Sequence, residues 1–280
     1  MSIKAGIIAS SRRDLLFDIQ GGAYGAYSLR YLNREYNGDV ILGYHDGTAA
    51  TQGFTPTEII DGTLLAWADG DHVRVKTFYD QSGNGNDATQ TARYNMPTVV
   101  ISGVMQFLYG TIPAVNFDGS NDFIPLNSAL PDINTGSFSS FCVGKFDTDV
   151  GGTLEMMLSL GSTSGSGRLY IPYGQNSEFG WGYAATWNAV TTALDTDPHI
   201  FTAIAGSTQG NFQPFIDGTS KGSATLASNT TSGTYGIGGL NSATAYELDG
   251  KVAEVIVYSS DQSAKRTTLE KNIMDYYGIS

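Results

Sequence analysis

Oxygen-bearing side chains are concentrated in one loop that follows the alternating apolar run Val73–Phe78. Glycines interrupt this loop, which carries Asp80, Asn84, Asn86 and Asp87 within eight residues. Carboxylate and amide oxygens at close spacing are the ligands that calcium takes in proteins. The same side chains can instead hold a turn by hydrogen bonding to nearby backbone. Both interpretations stay open, and calcium is the one cofactor that the sequence suggests.

A second stretch combines aromatic side chains with amides, the pairing that binds sugars. Its glycan-binding candidates are Tyr173, Trp181, Tyr183, Trp187 and Asn188. Alternate residues of a strand share one face, so the run from Phe179 to Tyr183 places its aromatic residues together, with glycines opposite. Ring faces pack on sugar C–H groups while polar neighbours bind hydroxyls. An aromatic stripe of this kind is also typical of a protein core, and the sequence leaves both interpretations open.

Other clusters carry weaker signals. Asp118, Asn121 and Asp122 form a second acidic group, for which a hairpin is the default interpretation. The three histidines lack metal-ligand spacing. Cys142 is the only cysteine, so no intrachain disulfide can form, and its apolar neighbours predict a buried strand residue. Glu254 also lies in an apolar run and is predicted to be structural.

The elements that must position these residues are short strands separated by turns. From residue 73 onward the pattern predicts strands that include His199–Ala205, Phe212–Ile216 and Lys251–Tyr258. A helix is predicted over Ala23–Tyr36 from the spacing of its tyrosines. A terminal helix follows Ser263 and stops at Gly278. The fold class is therefore all-β with a short N-terminal helix and a C-terminal helix.

Composition excludes several classes of partner. The 280 residues contain 15 Lys and Arg against 27 Asp and Glu, a formal net charge of −12. Nucleic-acid binding needs clustered basic residues, so no nucleic-acid or anionic membrane partner is expected. No signal peptide and no apolar run of membrane-spanning length are recognisable. We expect synthesis in a cytoplasm. An acidic surface suits neutral glycans or cations.

Three segments together resemble the concanavalin-like, laminin-G-like jelly roll. They run over Asn116–Phe123, over His199–Ala203 with Phe215–Gly218, and over Leu248–Tyr258 with the terminal helix. This resemblance covers residues 114–280 and implies a sandwich of two sheets. The loop Tyr79–Gln90 matches the signature YDQSGNGxxxTQ, and Ala26–Arg30 belongs to the same region. In that part the chain resembles bacteriophage structural proteins and the catalytic domain of α-L-arabinofuranosidase B.

The second resemblance implies a retaining glycosidase, which needs one nucleophilic carboxylate and one carboxylic acid. In that family the acid is an Asp in a Gly-Ile-Gly-Gly-Asp-Asn run. Here the run is Gly236–Asn241, and Leu240 stands at the acid position. The family's paired cysteines are absent as well. Glu178 and Glu247 are loose candidates for the nucleophile. We therefore expect that the chain is not an enzyme.

The sequence is best interpreted as a bacteriophage virion structural protein. It would be a capsid decoration, a fibre or a tail-associated module that displays a lectin-like, carbohydrate-binding domain. Residues 1–20 are predicted to be an arm that anchors it to other virion proteins, and residues 21–280 a single jelly-roll domain. The expected partners are those virion proteins, host-surface or environmental glycans, and further copies of the chain. The alternative is a glycoside hydrolase of the α-L-arabinofuranosidase type.

Overall fold

The computed structural model describes most of the chain. The described residues are 15–126, 137–147, 155–161, 168–175, 178–183, 186–193, 195–206, 212–223, 235–239 and 246–280. Their helices are α1 (Leu16–Ile19), α2 (Pro56–Ile60), α3 (Thr63–Ala68) and α4 (Arg266–Tyr277), with a short 3-10 helix at Arg93–Asn95.

The first sheet is centred on two long strands that pair along their length, β12 and β21. Its members are β1 (Gly25–Ser28), β10 (Val115–Asp118), β12 (Phe138–Phe146), β17 (His199–Ala205), β18 (Phe212–Ile216), β19 (Thr219–Ser220) and β21 (Asp249–Tyr258). Along the edge of β21 that faces away from β12, the first residues of β21 pair with β10 and its last residues pair with β1. On the other side the order is β12, β17, β18 and β19. All these pairings are antiparallel.

The second sheet begins with a hairpin from the first third of the chain and ends with strands from the middle of the chain. Its members, in order of pairing, are β3 (Thr51–Phe54), β2 (Ile41–His45), β4 (Val73–Phe78), β5 (Ala88–Thr89), β11 (Ile124–Leu126), β20 (Tyr235–Ile237), β13 (Glu155–Gly161), β14 (Arg168–Gln175), β15 (Glu178–Tyr183) and β16 (Thr186–Ala193).

One strand joins the two sheets. β6 (Thr98–Ile101) pairs with β4 of the second sheet and β10 of the first. β7 (Val104–Met105) extends β6, and β8 (Phe107–Tyr109) pairs with β9 (Ile112–Pro113) in a separate small hairpin. The prediction of an all-β sandwich is confirmed.

The main core lies between the sheets. Cys142, Phe201 and Val255 of the first sheet belong to the same buried cluster as Val75 and Leu158 of the second. Cys142 is fully buried on β12, as its apolar neighbours predict. Because neighbouring strand residues point to opposite faces, the intervening residues of β12 must be covered by something else.

α4 supplies that cover for the outer face of the first sheet. Leu269 and Ile273 of the helix pack against Phe141, Ile200 and Ile256 in a second buried cluster. The helix ends where Gly278 adopts a φ of 65° and donates its N–H to the Met274 carbonyl. This left-handed position favours glycine, and it confirms the predicted stop. The predicted cap at Ser263 is wrong, because the helix begins after Lys265 without a side-chain cap.

The predicted helix over Ala23–Tyr36 is also wrong. Gly25–Ser28 forms β1, whose partners on β21 run from Val257 back to Glu254. Tyr27, whose spacing suggested a helix, is buried in the core between the sheets. Pairing with a buried strand outweighs the weak helical preference of a segment this short.

Residues 15–20, the last part of the predicted anchoring arm, pack against the rest of the described chain. Leu16 is fully buried in α1, in the same cluster as Leu269 of α4. Gln20 accepts a hydrogen bond at its carbonyl from the Tyr258 hydroxyl, at 2.9 Å. Residues 1–14 lie outside the described residues, so the anchoring role stays a prediction. Among the described residues, no helix has the length and apolar character to span a bilayer.

A buried ion pair ties β1 to β21 beneath α4. The Arg30 Nε lies 2.7 Å from Glu254 Oε2, and the Arg30 Nη2 lies 3.0 Å from Oε1. The hydroxyls of Ser28 and Tyr277 donate to Glu254 Oε2 at 2.8 and 3.0 Å. Glu254 is fully buried and Arg30 is 6% exposed. The structural role predicted for Glu254 is therefore confirmed.

We predict that Glu254→Ala lowers the free energy of unfolding by roughly 3–5 kcal/mol, because it leaves the Arg30 charge buried without a partner. Urea denaturation measures this loss. Asp275→Ala is the matched control, since it breaks the exposed pair between Asp275 and Lys271 on α4; it should change stability by less than about 1 kcal/mol. Equal effects of the two substitutions would contradict this account of the buried pair.

Candidate functional site

The loop after β4 holds β1 in place through hydrogen bonds. Asp80 accepts four hydrogen bonds, from the backbone N–H groups of Ala26, Ser82 and Asn86 and from the Ser82 hydroxyl, at 2.6–3.0 Å. Asp87 Oδ1 accepts from the Asp80 N–H at 2.9 Å. A carboxylate that accepts several backbone N–H bonds is satisfied as an anion. These contacts account for the loop without a cation.

The neighbouring amides bind the segment that follows α1. Asn84 Nδ2 donates to the Ala23 carbonyl at 2.8 Å, and Asn86 Nδ2 donates to the Tyr24 carbonyl at 2.7 Å. Gln81 donates to the carbonyls of residues 28 and 30 and accepts from the N–H of residue 32. Among the described residues, no group of three or more His, Cys, Asp or Glu could hold a metal. The sequence left two interpretations open for Asp80, Asn84, Asn86 and Asp87: these hydrogen bonds favour the turn, and calcium binding is not tested.

The aromatic candidates lie on three consecutive strands at the edge of the second sheet. Tyr173 is on β14, Trp181 and Tyr183 are on β15, and Trp187 and Asn188 are on β16. The backbone register pairs Tyr173 with Gly180 and Trp181 with Val190. The side chains of all five candidates lie outside the described part of the structure, so their glycan-binding role stays a prediction.

The loop between β10 and β11 carries two carboxyl groups close together. Asp122 Oδ2 accepts the Asp118 N–H at 3.2 Å, and Asp118 Oδ1 accepts the Ser120 N–H at 3.0 Å. Gly119, with a φ of 71°, donates its N–H to the Leu248 carbonyl at 2.9 Å. The predicted hairpin is wrong, because β10 pairs with β21 and β6 in the first sheet whereas β11 pairs with β20 and β5 in the second. Asp118 is exposed, whereas Asp122 is only 1% exposed.

The glycine run Gly236–Gly239 lies directly against β10 and the loop that follows it. A Cβ on Gly238 would lie 2.1 Å from the Phe117 ring, so only glycine permits this approach. The Ser159 hydroxyl donates to the Gly239 carbonyl at 2.9 Å and fixes the end of the run. Leu240 and Asn241, which follow it, lie outside the described residues.

The backbones of two acidic residues lie next to Gly239. A Cβ built on Gly239 would lie 3.7 Å from the Asp122 carbonyl oxygen and 3.7 Å from the Glu247 Cα. Each of these residues also carries a buried side-chain oxygen, Asp122 Oδ1 and Glu247 Oε1, without a hydrogen-bond partner in the described part of the chain. A buried oxygen without a partner destabilises a fold by roughly 1–3 kcal/mol. Such an atom is therefore a candidate for contact with a ligand.

Burial changes the acidity of this region. Burial, followed by repulsion from Asp118, raises the pKa of Asp122 to about 8, against an opposing attraction from Arg74. Burial also raises the pKa of Glu155 to about 7. Glu155 Oε2 accepts the Asp249 N–H at 2.9 Å, and Asp249 is the cross-strand partner of Asp118. Asp122 can thus hold a proton at neutral pH, which a surface aspartate does not.

Comparison with solved structures finds the same architecture in glycoside hydrolases. A GH54 α-L-arabinofuranosidase soaked with a cyclic sulfate inhibitor superposes with a TM-score of 0.70 at 12% identity, over 93% of this chain and 64% of that one. An arabinofuranosidase complexed with arabinofuranosyl-α-1,2-xylobiose gives 0.68 at 14% identity, over 94% and 65%. A Trypanosoma rangeli sialidase with 2,3-difluorosialic acid gives 0.52 at 14% identity, over 90% and 33%.

This chain therefore spans less than two thirds of the length of either arabinofuranosidase. No protein-family model matches the sequence, and no curated protein matches it. At these identities the likeness shows the fold alone. It is the two-sheet architecture of glycoside hydrolase domains.

The expectation that the chain is not an enzyme is corrected by these comparisons. It depended on Leu240 at the acid position, on the absence of the paired cysteines and on the lack of a residue that matches the nucleophile. The solved structures reported above are all glycoside hydrolases, and two acidic residues, Asp122 and Glu247, lie next to Gly239. Leu240 therefore does not exclude catalysis. The virion role, which no comparison tests, stays a prediction.

The sequence indicated the parts of this site but not their proximity. Asp118, Asn121 and Asp122 appeared as a cluster, and Glu247 as a loose candidate. Glu178, the other candidate, lies on β15, and its side chain is outside the described part of the chain. Glu155 was missed, although an acidic residue at the start of an apolar strand was a visible signal.

We predict that Asp80→Ala lowers the free energy of unfolding by at least about 2 kcal/mol, because it leaves buried donors without an acceptor. Calcium should not change the melting temperature of the wild-type chain, because hydrogen bonds already satisfy the carboxylate. Calorimetry with calcium and with a chelator measures both effects. A calcium-dependent rise in melting temperature that Asp80→Ala abolishes would favour the metal interpretation of this loop.

We predict a pH-dependent gain in stability for Asp122→Asn. The folded carboxyl keeps its proton up to about pH 8, whereas the unfolded one has a pKa near 3.8. Its contribution to stability is therefore full below that lower pKa and is lost as pH rises through about 8. Asparagine does not ionise, so the variant should gain at least about 1 kcal/mol over wild type between pH 5 and pH 8.5. Urea denaturation at both pH values measures this.

Asn121→Ser serves as a control for Asp122→Asn, since it changes a neutral residue in the same loop. It should keep the wild-type dependence of stability on pH. A constant difference between Asp122→Asn and wild type across this range would show that Asp122 titrates as an ordinary exposed aspartate.

Proposed function

We propose that this chain is a glycoside hydrolase domain in which Asp122 is the general acid and Glu247 is the carboxylate partner. The observation that carries the proposal is that both residues lie next to Gly239, each with a buried oxygen that has no partner in the described part of the chain. The reaction is cleavage of a glycosidic bond by water.

Glycoside hydrolysis requires two carboxyl groups in different protonation states. One donates a proton to the leaving oxygen, and the other acts as a nucleophile or as a base toward water. Environments that separate the pKa values of two carboxyls assign these roles. The raised pKa of Asp122 fits the acid, and Glu247, which is partly exposed, is the candidate for the second carboxyl group.

Asp122 supplies the proton donor that is missing at Leu240. Leucine cannot donate a proton, but Leu240 directly follows Gly239, and Gly239 lies beside Asp122. Asp122, on the loop between β10 and β11, is therefore a proton donor placed beside the residue that precedes Leu240.

Charge favours a neutral substrate. The net charge of −12 repels an anionic sugar such as a sialic acid, and the acidic row Asp118, Asp249 and Glu155 adds to this locally. The complex of a structurally similar arabinofuranosidase with arabinofuranosyl-α-1,2-xylobiose supports a neutral furanoside as the first substrate to test. We therefore propose α-L-arabinofuranosidic linkages as the substrate class.

Release of 4-nitrophenol from 4-nitrophenyl α-L-arabinofuranoside tests the proposal, with pyranoside and sialoside analogues for comparison. Asp122→Asn and Glu247→Gln should each lower kcat/KM on the order of 10²–10⁴-fold, because each removes a group that acts on the transition state. The wild-type rate should fall as pH rises through about 8, where Asp122 loses its proton.

Asp275→Asn is the control, since it removes an exposed carboxylate on α4 and should leave kcat/KM unchanged. Two results would overturn the proposal. One is no release from any of these substrates by the wild-type chain. The other is wild-type activity in both Asp122→Asn and Glu247→Gln.

A further inference from the structure

We propose that Tyr94, Arg93 and Tyr44 form a sugar-binding platform beside the Asp122 site, on which a neutral sugar ring of a glycan chain stacks against Tyr94. This proposal rests on the function proposed above and extends it from the cleaved bond to the neighbouring sugar. We call these three residues the Tyr94 platform.

The exposure of Tyr94 is the first observation. Its side chain lies on the 3-10 helix and is 70% exposed, the highest value among the large exposed apolar side chains of the described residues. A tyrosine ring left in water contributes little to folding. It does offer a flat apolar face with a polar tip, which suits a ligand that has both C–H and hydroxyl groups.

Three contacts hold the segment from Gln90 to Thr98 against β10 and the loop that carries Asp122. Gln90 Nε2 donates to the Phe123 carbonyl at 3.0 Å, and the Phe123 N–H donates to the Asn95 carbonyl at 3.1 Å. Thr98 of β6 pairs with Asn116 of β10. Tyr94 directly precedes Asn95, which accepts the bond from Phe123. Phe123 in turn directly follows Asp122.

Arg93 supplies hydrogen-bond donors next to the ring. Its guanidinium carbon lies 5.4 Å from the Tyr94 ring centre and 5.9 Å from that of Tyr44. Its Nε donates to Asp46 Oδ1 at 3.0 Å, and its side chain is 40% exposed. A guanidinium has five N–H donors, so Arg93 can bind Asp46 and still donate to sugar hydroxyls.

A shared carboxylate makes the platform rigid and connects it to Asp122. Asp46 also accepts from Arg74 Nε, at 2.9 and 3.0 Å, and is 14% exposed. Arg74 donates to the Met96 carbonyl at 3.1 Å. The charge of Arg74 acts on Asp122. Asp46 thus fixes two arginines, one beside the exposed ring and one near the buried acid.

Affinity electrophoresis in native gels that contain arabinoxylan or debranched arabinan tests the platform. The wild-type chain should be retarded by at least one of these polysaccharides. Tyr94→Ala should weaken that retention about tenfold, the effect of losing one stacked aromatic ring. Tyr94→Phe, which keeps the ring, should stay within about twofold of wild type.

Tyr109→Ala is the matched control, because Tyr109 is a partly exposed tyrosine on β8, 38% exposed. It should be retained like the wild-type chain. An unchanged melting temperature of Tyr94→Ala would show that lost retention reports binding rather than unfolding. Since Tyr94 is exposed, we expect no change.

The outcomes separate this proposal from the hydrolase itself. Weaker retention of Tyr94→Ala supports the platform even when no arabinofuranoside is cleaved. Equal retention of Tyr94→Ala and wild type overturns the platform, and cleavage of arabinofuranosides by the same protein would leave the hydrolase proposal standing. Failure of the wild-type chain to be retained by either polysaccharide also overturns the platform.

Discussion

The close approach of the glycine run to β10 and to the loop that follows it is the constraint on which the candidate site depends. A Cβ on Gly238 would lie 2.1 Å from the Phe117 ring, so any other residue would push the run away from β10. Hydrogen bonds hold the contact in place, from Gly238 N–H to the Met157 carbonyl and from Leu248 N–H to the Gly238 carbonyl. These contacts keep the backbones of Asp122 and Glu247 close to Gly239.

This arrangement lowers the stability of the fold. It keeps an aspartate protonated, leaves carboxyl oxygens without partners among the described residues, and aligns Asp118 opposite Asp249 across the strand pair. Like charges directly opposite destabilise a sheet. The ion pair of Arg30 and Glu254 shows that the same chain can satisfy a buried acid completely, with two N–H and two hydroxyl donors. A buried acid with a raised pKa that lies near a second acid with an unpartnered oxygen is typical of a functional site.

The sequence predicted the fold well where local and global preferences agree. The strands His199–Ala205 and Phe212–Ile216 have their predicted bounds, and Gly278 ends the last helix. It failed at β1, where the tyrosine spacing favoured a helix and pairing with β21 decided the outcome. It also failed at β16, whose residues 186–193 lack the alternation of a half-buried strand. The proximity of Asp122, Glu247 and Glu155 was not predictable, because it depends on contacts between residues more than 90 positions apart in the chain.

The central claim is that Asp122 remains protonated at neutral pH beside Gly239. NMR titration of the side-chain carboxyl carbons in a chain labelled at aspartate tests it most directly, with Asp122→Asn to assign the signal. We predict one aspartate signal that titrates near pH 8 and is missing from the variant spectrum. A signal for Asp122 that titrates near pH 4, as exposed aspartates do, would contradict the account of this site.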